Sequence, residues 1–76
     1  ALEQKERSDL VHAALGRLSP RQRAFLILRE FEGLSHHELS ELTGLPLGTV
    51  KSGIHRARCD LKEAILELQP EWLHGL

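Results

Sequence analysis

Lys51, Ser52, His55 and Arg58 recur at the three- and four-residue spacing of one helix face, with Gly48 one turn earlier on the same side. Side chains of these types, projecting together, can address DNA. Lys or Arg donates to guanine O6 and N7, Ser pairs with several base edges, and an imidazole titrating near neutrality can donate, accept or stack. Val50, Ile54, Ala57 and Leu61 occupy the opposite side at the same period, so the segment predicts a helix with one apolar and one DNA-compatible face. No acidic residue lies between Leu42 and Cys59, whereas Lys51, Arg56 and Arg58 do.

Such a face needs a support that presents it. Leu39 and Leu42 stand three apart and are expected to line one side of a short preceding helix, from His36 to Thr43. Gly44 falls where the chain must turn through a left-handed conformation, Leu45 plugs the joint, and Pro46 sets the backbone at the start of the next helix. That last helix begins near Leu47 and runs to Leu68, ended by Gln69 and Pro70. Upstream, two start signals are spelled out. Ser19, Pro20 and Gln22 form a capping box with proline in the first turn, and Ser35 with Glu38 repeats the box. Between them Ala24, Phe25, Leu26, Ile27, Leu28 and Phe31 are apolar nearly all round, which predicts a central core helix stopped by Gly33. A first helix, from about Glu3 to Arg17, offers Leu10, Val11, Ala14 and Leu15, followed by Leu18. The expected fold is all-α, a small four-helix domain containing a helix-turn-helix at about 36–68. It forms one domain over 1–76, in which 69–76 is a C-terminal tail carrying Trp72 and Leu73.

The 76 residues suit a binding module rather than a deep catalytic cleft, since a domain this small buries only about 60% of its unfolded surface. No Ser-His-acid grouping, phosphate loop or carboxylate pair points to an enzyme. The net charge is −1, yet Arg17 to Lys62 holds eight basic residues against five acidic ones. A local basic stripe on a neutral body implies modest, salt-sensitive DNA affinity aided by a larger assembly. No apolar run could span a bilayer, a single Cys59 excludes an internal disulfide, and the absence of methionine suggests a domain of a longer protein. A cytoplasmic location follows as the expectation.

The run LSPRQRAFLILREFEGLSHHELSELTGLPLGTVKSGIHRARCDLKEAI, Leu18 to Ile65, resembles region 4 of bacterial sigma factors, specifically the extracytoplasmic-function group. PLGTVKS followed by HRAR is the most specific part. The resemblance implies recognition of the promoter minus-35 element by the last helix, with the domain held on RNA polymerase through the flap of the β subunit. Residue by residue it implies base reading by Lys51, Ser52, His55 and Arg56, and grip on the phosphate backbone by Arg29, His36 and His37. Arg58, farther along the outer face, is open to either a phosphate contact or free solvation, and Arg29 to a structural bridge with Glu32 or Glu41. Helix N-termini can add backbone N–H contacts to phosphates. No cofactor is implied.

Two positions depart from the family's pattern. Gly53 stands where the family usually carries Arg, so a DNA contact is missing and the helix loses about 1 kcal/mol relative to Ala; Gly53→Arg is expected to tighten binding. Cys59 replaces a common basic residue and forms an i, i+4 pair with His55, but two ligands without paired Cys/His units make no zinc site. Two further readings stay open. LSPRQR before a glycine-bounded helix-turn-helix also occurs in DNA-binding domains of LuxR-type response regulators. An apolar stripe on the first two helices could instead serve chiefly to bind an anti-sigma protein.

Overall fold

The computed structural model describes residues 3–69. Within them the chain forms α1 (Gln4–Leu15), α2 (Pro20–Leu26), a π-helical turn (Ile27–Phe31) continuous with α2, α3 (His36–Thr43) and α4 (Leu47–Leu68). No strand occurs among the described residues. The architecture is the all-α, four-helix arrangement expected, with α3 and α4 as the helix-turn-helix. No described helix is long and apolar enough to cross a membrane. The expected tail carrying Trp72 and Leu73 lies outside the described residues.

Local chemistry sets most boundaries. Ser19 Oγ accepts the Gln22 N–H at 3.2 Å while Gln22 Oε1 accepts the Ser19 N–H at 3.3 Å, a complete capping box with Pro20 in the first turn. Ser35 and Glu38 close the second box at 3.0 and 2.9 Å. Gly44, at φ 74°, turns the chain between α3 and α4, and Ser40 Oγ braces that turn by donating to the Leu45 carbonyl at 2.6 Å. α1 is shorter than expected. Glu3 is its N-cap and Gly16 its C-cap, so the helix stops before Arg17.

The core has two compartments joined by α4. Leu15, Leu18, Leu26 and Ala57 pack with Val11 and Leu61 in one; Phe25, Leu39, Val50 and Ile54 pack with Leu28, Leu34 and Leu45 in the other. α4 thus leans with its first half on α3 and α2, and with its second half on α1.

Two residues expected inside are outside. Phe31 is 60% exposed because the backbone from Ile27 widens into a π turn, in which the Glu32 N–H reaches back to the Ile27 carbonyl at 3.0 Å. The extra residue in that turn sets the following side chains back by roughly one residue, about 100° of helix rotation. Leu42 is 63% exposed. The seam between α3 and α4 is narrow, and Leu39 together with Leu45 from the turn already fills it.

Candidate nucleic-acid interface

Burial of Val50, Ile54 and Ala57 fixes the rotation of α4, and their complement is the outer face. Lys51, Ser52, His55 and Arg56 are all exposed there, brought together on consecutive turns. Ser52 donates its hydroxyl to the Thr49 carbonyl at 3.2 Å, which leaves the oxygen's lone pairs facing outward. Pro46 precedes the helix as an N-cap that lacks a side-chain hydrogen bond, and the first turn of α4 holds no acid. Its leading N–H groups therefore have no side-chain cap, the arrangement that favours an anion at a helix start. At α3 the corresponding end is partly taken, since Ser35 caps the Glu38 N–H.

A second group of cations gathers where α3 begins. His36 is half-buried and His37 exposed. Partial burial is the main influence holding the His36 pKa below its ordinary value, followed by the positive charges of Arg29, Lys51, Arg58 and His37. The charges of four cationic or titratable side chains, from the π turn, α3 and α4, thus act on one imidazole. Arg29 donates to the Leu34 carbonyl at 3.2 Å, bracing the loop before α3, while its buried Nε has no hydrogen-bond partner. A bridge from Arg29 to Glu32 or Glu41 does not form. Arg58 is not freely solvated either: its Nε donates to Glu30 Oε1 at 2.6 Å, and Nη2 joins the same carboxylate.

On the other flank of α4 lies a shallow concavity of about 460 Å³, lined among others by Arg21, Phe25, Ser52, Gly53, His55 and Arg56. Arg21 was not singled out by motif. Its guanidinium carbon sits 5.4 Å from the centroid of the Phe25 ring, an i, i+4 pairing on α2 that brings a cation beside the outer face of α4. Gly53 faces the same ring. A Cβ there would stand 2.7 Å from Phe25 Cε2 and 3.2 Å from Cδ2, so glycine is the residue that lets α4 lie against α2 at this point.

A family model described as "Sigma-70, region 4" matches residues 8–61. The chain belongs to the sigma-70 region 4 family. Similar proteins include the ECF RNA polymerase sigma factor SigE of Mycolicibacterium smegmatis, 41% identical over 61 residues, covering 80% of this chain and 24% of the relative. RNA polymerase sigma factor YlaC of Bacillus subtilis is 34% identical over 70 residues, covering 92% of this chain and 40% of its own length. The sigma-H factor of Pseudomonas aeruginosa is 38% identical over 71 residues, covering 93% and 37%. The region 4 domain therefore spans less than half the length of these relatives. The match supports the extracytoplasmic-function resemblance over the response-regulator one.

The region 4 domain also carries an apolar groove away from the exposed face of the first half of α4. It has a volume of about 490 Å³ between α1, the π turn and the second half of α4, with Val11, Leu26, Phe31, Leu61, Ile65 and Leu66 among its walls. The Arg58–Glu30 pair stands at its polar edge. Cys59 Sγ lies 3.8 Å from His55 Nε2, and no third His, Cys, Asp or Glu joins them among the described residues.

Proposed function

We propose that this domain reads the minus-35 element of bacterial promoters through the outer face of α4, as part of a cytoplasmic sigma factor that directs transcription initiation. The observation that carries the reading is the joint exposure of Lys51, Ser52, His55 and Arg56 on a helix whose opposite face is buried. Lys51 and Arg56 donate to guanine edges, Ser52 accepts or donates at neighbouring bases, and His55 contacts or stacks along the groove wall. The cluster around His36 meets the flanking backbone: Arg29, His36, His37 and Arg58 form an electropositive spot suited to phosphate. Arg58 reaches it while partly neutralised by Glu30.

Binding of a fluorescent promoter duplex, followed by anisotropy, tests the assignment. Lys51→Ala and Arg56→Ala should each cost about 1–3 kcal/mol or erase the preference over scrambled DNA. Affinity and preference both unchanged would remove the base-reading role.

The groove beside Phe31 favours a second, compatible role in protein binding. An exposed aromatic at the wall of an apolar cleft suits the side chains of an incoming helix. The β flap of RNA polymerase is the proposed occupant, and an anti-sigma protein competing for the same cleft would switch the factor off.

A further inference from the structure

We propose that Arg21 is an additional DNA-contacting residue, which grips a backbone phosphate at the rim of the groove that α4 enters, beside the base-reading Arg56. The proposal rests on the reading of α4 as the DNA-reading helix.

Charge balance is the first observation. Arg17 is bound to Glu67 and Arg58 to Glu30, whereas among the described residues neither Arg21 nor Arg56 has a carboxylate within ion-pair distance. The neighbouring acid, Asp60, accepts from the Gln22 side-chain amide at 2.6 Å. The concavity they share has no acidic residue in its lining.

Preorganisation is the second. Phe25 is 3% exposed and locked in the core, so the ring under Arg21 is a fixed platform. A guanidinium held by its face keeps its N–H edge free for an anion, and its planar fork suits phosphate oxygens.

The third is Gly53. Phe25 leaves no room for a side chain at that position, so residue 53 itself cannot carry a cation toward the concavity. Arg21 supplies one from α2 instead. Because α2 lies beside the reading helix and not within its outer face, its side chain meets the sugar-phosphate rim. The contact adds affinity and register without sequence preference.

Salt titration of the full chain with a mixed-sequence double-stranded oligonucleotide tests this directly. Arg21→Ala should lower affinity roughly five- to tenfold at low salt and reduce the slope of log K against log salt by about 0.9, the value of one phosphate contact. Arg21→Lys should retain most of the slope. Arg21→Gln, which keeps a stem over the ring, should lose it as Arg21→Ala does, separating charge from packing. Because the two arginines hold different parts of the DNA, a phosphate and a base edge, the double Arg21→Ala, Arg56→Ala variant should lose about the sum of the two singles. Unchanged slope and affinity in both Arg21→Ala and Arg21→Gln overturn the proposal. If Lys51→Ala still abolishes the preference for a minus-35 duplex in that case, the reading of α4 survives. Failure of the wild-type chain to bind either duplex overturns both.

Discussion

Gly53 turns out to be a packing residue in α4, the helix proposed to read DNA. Its helix propensity argues that replacement by Ala should gain about 1 kcal/mol. The ring of Phe25, 2.7 Å from where the new Cβ would stand, argues the opposite, since forcing an extra carbon into a filled site costs about 1–3 kcal/mol. The steric effect should win because Phe25 is enclosed by Leu39, Val50 and Ile54 and cannot swing away. Gly53→Ala is therefore expected to lower the urea midpoint, and in a Phe25→Leu background the same substitution should become neutral or stabilising. A raised midpoint in the otherwise unaltered chain would show that the ring yields. Gly53→Arg, attractive from sequence as an added DNA contact, must meet the same obstacle before it meets DNA. Arg58 teaches a related lesson: helix periodicity placed it on the outer face, but the partner that claims it, Glu30, is 28 residues away and invisible to local pattern.

At the level of elements, the two capping boxes are chemically unequal. In the α2 box the reciprocal acceptor is the neutral Gln22; in the α3 box it is Glu38, whose pKa is lowered by the hydrogen bonds from the Ser35 backbone and side chain. A carboxyl with a depressed folded-state pKa adds stability above its unfolded value, and that increment is lost as pH falls through the folded one. The α3 box should thus weaken below the ordinary Glu value of 4.5, while the α2 box should not. Urea denaturation from about pH 6 to about pH 3 should show a Glu38→Gln variant losing less stability than the parent, with neutral-pH stability nearly kept. Equal losses would mean that the box does not titrate. Ser35→Ala, by contrast, should cost about 1 kcal/mol at neutral pH. Such caps are local in sequence, which is why the starts of α2 and α3 were legible to the residue, as was the glycine turn that leads into α4. The π turn was not. Nothing in ILREF separates it from an ordinary helix, because the widening is decided by how Leu28, Leu34 and Arg29 settle against the rest of the fold.

Across the whole molecule, α4 serves two surfaces at once, presenting Lys51, Ser52, His55 and Arg56 on its first half and walling the apolar groove with Leu61, Ile65 and Leu66 on its second. The joint exposure of Lys51, Ser52, His55 and Arg56 was legible from spacing, because the buried stripe of Val50, Ile54 and Ala57 fixes which side of the helix faces out. The groove was legible only as an apolar stripe, since its shape depends on α1 and the π turn closing around α4. Phe31 separates the two roles experimentally. At 60% exposure it contributes little to the core, so Phe31→Ala should change folding stability by only about 0.5 kcal/mol. An exposed aromatic at a partner's cleft is a different matter: if the flap docks there, removing the ring should weaken capture of a β-flap fragment by about 2 kcal/mol, within the range for interface hot spots. The DNA preference of the isolated chain should be unaffected, because Phe31 is absent from the concavity that flanks the reading face. Equal capture by parent and variant would move the flap to another surface, and a large drop in stability would return Phe31 to the core from which the π turn has rotated it.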